Sequence, residues 1–365
     1  MKDAREWLTN LKLRASYGNL GNQSALNDYY PWMNNYDLSA KYPFGGSLQP
    51  GYYQKNYKIA TISWEKARTW GVGFDATLLD KVTVAFDYYD RKTTGIIMDV
   101  PVPAEFGLGA YKDNVGAMVN RGVELTLNYN ESWDDWSFGV SANLAYNKNK
   151  VLYLDGVQSL ADGDLKVKQV GAAYGTYRLY KTGGFFQSDE EAKRWQEKHK
   201  NDAGYPFKRD FKAGDLIYMD TNEDGLINAD DRVLCGSSNP SYTFGLNLSA
   251  GYKSIDCSVM LTGVADVKRM IDINGFGGEW SGDDCHPNNI WLDAWTPDNR
   301  DAKMPRIAVG KTSNNLEYSD FWLQDGSYLR LKNLQLGYTL PKKILKSMGV
   351  ENLRVYYSGE NLLTF

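Results

Sequence analysis

Apolar and polar residues alternate with a period of two through most of the patterned segments of this chain. Trp70, Val72, Phe74, Ala76 and Leu78 alternate with Thr69, Gly71, Gly73, Asp75 and Thr77, and Val82, Val84, Phe86 and Tyr88 alternate with Thr83, Ala85, Asp87 and Tyr89. Successive side chains of a strand point to opposite faces, so each run predicts a strand with one apolar and one polar face. The short Leu79-Asp80-Lys81 link makes the two a hairpin. The same period returns in Val123, Leu125, Leu127 and Tyr129. After a turn at Glu131–Asp135 it continues in Trp136, Phe138, Val140, Ala142, Leu144 and Tyr146. Phe244, Leu246, Leu248, Ala250 and Tyr252 lead through Lys253-Ser254 to Ile255, Cys257, Val259 and Leu261. Leu334, Leu336, Tyr338 and Leu340 precede Pro341, and Leu353, Val355 and Tyr357 follow.

Between these hairpins lie long polar stretches, at about 30–60, 95–118, 155–242 and 264–325, rich in Gly, Pro, Asn, Asp and aromatics. Ordinary connections run to about six residues, so these carry structure of their own. One holds a helix: Ser188-Asp189-Glu190-Glu191 is a capping box ahead of Ala192-Lys193-Arg194-Trp195-Gln196-Glu197-Lys198. Strands of about ten residues, joined by tight turns at one end and long loops at the other, predict an all-β fold. The specific form is an antiparallel transmembrane β-barrel with long extracellular loops containing short helices. A soluble sandwich also alternates, which leaves a soluble, calcium-stabilised carbohydrate-binding β protein as the alternative.

Composition changes this picture little. The 365 residues carry a net charge of −4, too balanced for the basic face that nucleic acid requires. The 26 Tyr, 11 Trp and 13 Phe suit sites that are apolar at one end and wet at the other, such as membrane interfaces or carbohydrate surfaces. Cys235, Cys257 and Cys285 are too few for a disulfide framework, and His199 and His286 are the only histidines. The Asp283-Asp284-Cys285-His286 run reads as a polar loop, because no partner ligand stands at metal-site spacing. No stretch approaches the roughly 18 apolar residues of a membrane-spanning helix, and Met1–Trp7 does not resemble a signal peptide. Strands cross a bilayer without any such run.

The sharpest chemical motif is the twelve-residue segment 220–231 inside the loop at 155–242. Asp220, Asn222, Asp224 and Asp231 occupy positions 1, 3, 5 and 12 of a calcium loop, Gly225 the sharp turn at position 6, and the Leu226 carbonyl position 7. Calcium is a hard cation that needs six or more oxygens, which this spacing can gather. Ile227 is the apolar anchor at position 8. The expected cofactor is structural calcium, an Asx-rich turn being the other reading. There is no G-x-S-x-G elbow, Walker loop or H-E-x-x-H, and Phe106-Gly107-Leu108-Gly109-Ala110 lacks the flanks of a nucleotide site. An enzyme is therefore not expected.

Six motifs resemble one family in its own order. Trp64-Glu65-Lys66 through Gly73-Phe74-Asp75, Asp87-Tyr88-Tyr89-Asp90-Arg91-Lys92-Thr93, and Asn114-Val115-Gly116 with Asn120-Arg121-Gly122-Val123-Glu124-Leu125 are similar to segments of SusC/RagA TonB-linked outer-membrane proteins. So are Gly214-Asp215-Leu216-Ile217-Tyr218 before the calcium-type loop, Ser327–Asn333, and Glu360-Asn361-Leu362-Leu363. The resemblance implies a nutrient importer in the outer membrane of a Gram-negative bacterium, a barrel of about 22 strands around a plug. It implies glycan or peptide cargo, a SusD-like surface lipoprotein, outer-membrane lipid and the TonB system as partners. The family's plug and N-terminal regions have no counterpart in these residues. Residues 1–365 are thus expected to be one partial barrel domain, cut at both ends, of about a dozen strands. Trp280, Trp291, Trp295 and Trp322, in or near the largest loop, are candidates to stack on sugar rings, with an interface girdle or loop packing as the other roles.

Overall fold

The computed structural model describes the chain except residues 1–6, 25, 27–29, 31, 35, 55–60, 101, 103–104, 106, 108, 155–158, 163–164, 200–204, 208–209, 272–288, 308–313 and 348. Nine long strands form one sheet: β1 (Leu8–Asn22), β2 (Glu65–Leu78), β3 (Val82–Val100), β4 (Tyr111–Trp133), β5 (Trp136–Leu154), β6 (Tyr242–Tyr252), β7 (Ile255–Ala265), β8 (Tyr328–Thr339) and β9 (Arg354–Thr364). Each pairs antiparallel with its neighbours in chain order, an up-and-down meander. Leu79 and Asp80 (φ 51° and 57°) close the β2–β3 turn, and Asp134 and Lys253 adopt positive φ in the β4–β5 and β6–β7 turns. Positive φ matches the twist of two-residue hairpin links.

The cross-strand register turns the alternation into rows. Trp133, Trp136, Tyr252, Ile255, Tyr338 and Val355 are successive partners near the tight-turn end. Ala15, Val72, Tyr88, Val123, Tyr146, Tyr242 and Ala265 make a second row toward the long loops. Rows between them are apolar, for example Leu13, Phe74, Phe86, Leu125, Leu144 and Phe244. One row further up stand Tyr17, Trp70, Asp90, Arg121 and Lys148, with Arg121 paired to Asp90 at 2.6 Å. On β5 the apolar band runs ten residue steps, from Trp136 to Tyr146. At about 3.3 Å per step and a tilt of about 40°, that strand spans roughly 25 Å along the barrel axis. This is the height of the apolar band of a transmembrane barrel.

No second layer covers this face among the described residues: Leu13 is 77% exposed, Ile255 56% and Val355 60%. Grease that a sandwich would bury is left outward, which contradicts the soluble alternative's dry core between two sheets. The opposite face is polar. Arg14 reaches across β2 to Asp87 and also meets Asp75 at 3.2 Å. Gly73 permits that crossing, because a Cβ there would lie 2.2 Å from the Asp87 carboxylate. Tyr89 lies over Gly122 to donate to the Asn147 side-chain oxygen, and the Asn120 side-chain oxygen accepts from the amides of both Asn147 and Asn149.

Three expectations need correction. The wall has nine strands among the described residues, where about a dozen were expected, and the remaining short strands belong to the loops. Residues 95–118 are mostly strand: β3 runs to Val100 and β4 starts at Tyr111. Met98, Val115, Val151 and Leu154 form a small buried core that extends the ladder past the bulge at Gly95. The β4–β5 turn is also tighter than expected, since Trp133 and Trp136 still pair.

Candidate functional site

The two longest connections, β5 to β6 and β7 to β8, fold together beyond the upper aromatic row. The first contains helix α1 (Asp189–His199), started by the predicted cap: Ser188 Oγ accepts from the Glu191 amide at 3.2 Å, and the Glu191 carboxylate accepts from the Gln187 amide at 2.7 Å. Ala192 and Trp195 of α1 pack on a core of Tyr180, Phe186, Phe207, Phe211, Leu216 and Tyr218. The second connection has its own core of Trp291, Ala294, Met304 and Trp322.

Several buried polar contacts clamp the two together. Asp215, 1% exposed, pairs with Arg306 at 2.6 Å and also accepts from the Lys212 amide and the Asn315 side chain. The Asn315 side-chain oxygen accepts from the Leu216 amide at 2.8 Å, and the Tyr218 hydroxyl donates to the Asn314 carbonyl at 2.6 Å. Asp320 accepts from both the amide and the hydroxyl of Thr182. Buried charges persist only when paired and hydrogen-bonded, so these contacts fix how one loop sits on the other. Burial pushes the Tyr218 phenol well above its ordinary pKa, with nearby Glu317 and Asp215 adding to the shift. Burial, followed by Asp210, raises Tyr205 to about 12.

The calcium-type loop is seated on the first core. Its anchor Ile227 is fully buried within that cluster, and the His199 ring meets the Gly225 carbonyl at 3.3 Å. Gly225 adopts φ 81°, as position 6 requires, and its amide donates to Asp220 Oδ2 at 2.8 Å. Asp224 Oδ1 accepts from the Leu226 amide, and the Asn222 and Asp224 side chains bond each other. Asp220 Oδ1 is buried with no hydrogen-bond partner. Asp231 closes the loop from the other side, its two oxygens accepting from the Thr221 and Asn228 amides at 2.8 and 2.9 Å. Among the described residues, no three His, Cys, Asp or Glu side chains converge into a metal cluster. The donor set still suits a hard cation: one amide bond per carboxylate oxygen leaves lone pairs available, and Asp220 offers an oxygen that nothing else uses.

The three described candidate tryptophans do not form a surface. Trp291, Trp295 and Trp322 are 7%, 7% and 2% exposed, and Trp322 donates to the Asn315 carbonyl at 2.8 Å. Rings enclosed in this way pack the loop and present no open face to a sugar. Trp280, Cys285 and His286 lie outside the described residues. Cys235 and Cys257 are free thiols, and burial raises the pKa of Cys235. The clamp through Asp215, Arg306 and Asn315 escaped sequence reasoning, since its members lie up to 100 residues apart.

Residues 5–265 match the model of the TonB dependent receptor-like β-barrel family. The chain belongs to this family. It is 29% identical over its whole length to TonB-dependent receptor P3 of Formosa agariphila, matching 36% of that protein. It is 24% identical over 97% of its length to TonB-dependent receptor SusC of Bacteroides thetaiotaomicron, matching 34% of it. A solved structure of the RagAB peptide transporter superposes with a TM-score of 0.76 over 99% of the chain and 37% of the transporter chain, at 24% identity. The chain thus spans about a third of the length of the curated relatives it matches. The family is one of outer-membrane receptors and transporters, and the superposition fits the barrel read from the alternation.

Proposed function

We propose that this chain forms wall and extracellular cap of a SusC/RagA-type importer in a Gram-negative outer membrane. In this account the importer takes up glycan or peptide with a SusD-like surface lipoprotein and is driven by the TonB system. The carrying observation is the two-faced sheet: an apolar band about 25 Å tall between two aromatic-rich rows, backed by a face of Arg14, Asp87, Asn120, Asn147 and Tyr89. Short turns of such barrels face the periplasm and long loops the exterior. In this account the clamped loop pair lies outside the cell, above the lumen, where it shapes the approach for cargo. The names of SusC and of the RagAB peptide transporter support import as the activity and leave the cargo class open.

The segment 220–231 binds calcium in this account, held by Asp220, Asn222, Asp224, the Leu226 carbonyl and Asp231. Its support is the unused buried oxygen of Asp220 and the Gly225 turn. The ion's part is structural: it ties the loop to the core around Ile227. The test of transport is uptake by cells carrying the full-length receptor with residues 264–325 removed. Loss of uptake with normal outer-membrane assembly is expected, and unchanged uptake would overturn the role given to these loops.

A further inference from the structure

The β8–β9 connection, at the tight-turn end, holds a built feature that import does not use. Pro341 precedes helix α2 (Lys342–Ser347), and Pro fits the start of a helix because its missing N–H has no helical partner there. Gly349 at φ 68° follows it, and the Val350 amide reaches back to the Leu345 carbonyl at 3.2 Å, a Schellman closure. Leu345 is buried, and the Leu340 amide donates to the Leu353 carbonyl at 2.9 Å. By the period of two, Leu340 and Leu353 continue the outward columns of Tyr338 and Val355, so α2 begins one step below the lower aromatic row.

Lys342, Lys343 and Lys346 share one side of this turn, at spacings of three and four residues, and all are exposed. Beside them Ile344 and Val350 are exposed apolar residues, 50% and 40%. A groove of about 760 Å³ lies between Lys342, Lys346, Leu340, Val350 and the single acid Glu351. Three lysines at the edge of an apolar band, two of them on a groove whose apolar lining is Leu340, Leu345 and Val350, complement an anionic headgroup and its first methylenes.

We propose that α2 is a binding site for anionic phospholipid of the periplasmic leaflet, with Lys342, Lys343 and Lys346 holding the phosphate. The inference rests on the membrane placement given above. The test uses the full-length receptor purified in mild detergent, exchanged with phosphatidylglycerol or phosphatidylethanolamine and weighed by native mass spectrometry. The parent should retain phosphatidylglycerol preferentially, with a preference that falls as salt rises. The K342Q/K343Q/K346Q variant should lose roughly tenfold or more of that retention. Equal retention of both lipids by the parent, or undiminished preference in the variant, would overturn the site. A receptor that fails to float with lipid vesicles would instead overturn the membrane placement, so the two failures are distinguishable.

Discussion

Replacing Asp215 by alanine removes the acceptor at the centre of the loop clamp. The carboxylate is 1% exposed and the Arg306 side chain 28% exposed, so the guanidinium left behind keeps part of its hydration. Unpairing one member of a buried ion pair costs about 3–5 kcal/mol, and this partial exposure sets the lower end. The Lys212 amide and the Asn315 side chain also lose their acceptor, each worth about 1 kcal/mol or more, though members of one network do not add. The expected loss is about 4 kcal/mol, roughly a thousandfold in the equilibrium for opening the loop pair. Native-state proteolysis of the full-length receptor in detergent reads that opening directly, because cleavage within 155–241 follows the population of the open form while the barrel stays folded. R306A should cost a comparable amount by stranding the Asp215 carboxylate, and D215A/R306A should cost less than the sum of the two. Cleavage of D215A within threefold of the parent, or additive single effects, would refute the clamp.

Calcium at 10 mM should slow cleavage around residues 220–231 about tenfold or more over chelator, given dissociation constants on the order of 0.1–1 mM for extracellular loops of this type. Equal rates, or a D220N variant that keeps the protection, would contradict the ion. At Gly122, a valine Cβ would sit 2.3 Å from the Tyr146 carbonyl and 2.5 Å from the Tyr89 hydroxyl. G122V should therefore cost about 1–3 kcal/mol in urea unfolding of the refolded barrel, whereas a fully tolerated valine would show that Tyr89 does not lie across this glycine. The phenols of Tyr205 and Tyr218 are raised in the folded state, Tyr205 to about 12, against an unfolded value of about 10. The folded chain then holds protons that the unfolded chain has released, so stability of the cap is full below pH about 10 and falls as pH climbs toward about 12. Phenolate absorbance should show these two rings ionising only as the cap unfolds. Ionisation near pH 10 in the folded cap would contradict their burial.

Eight of the nine wall strands were legible: β2 to β7 form three hairpins whose paired runs alternate across short turns, and β8 and β9 show the same alternation on either side of the Pro341 segment. β1 was missed, although Leu11, Leu13, Ala15 and Tyr17 do alternate with Lys12, Arg14 and Ser16. Its partner β2 begins only at Glu65, so no short turn advertises the pair, and a register shift between Leu8 and Asn10 blurs its start. The continuation of β3 and β4 was hidden by the bulge at Gly95, where Ile96 and Ile97 break the period. In the candidate site, the calcium-type loop and the cap of α1 were readable because both are local spacings. The enclosure of Trp291, Trp295 and Trp322 was not, since a tryptophan in a loop looks the same whether it faces sugar or packs against its own chain. Nor was the pairing of Asp215 with Arg306, which is decided by how two distant loops meet.

The account depends most directly on which face of the sheet meets lipid. Spin labels placed singly at Thr243, Phe244, Leu246, Asn247, Leu248 and Ser249 of β6, in the full-length receptor with its native cysteines replaced and reconstituted in liposomes, measure this by collision with oxygen and with a water-soluble nickel reagent. Positions 244, 246 and 248 should favour oxygen, and positions 243, 247 and 249 the nickel reagent, with a period of two. An inverted phase, or accessibility that does not alternate, would contradict a wall with grease outward and water inward.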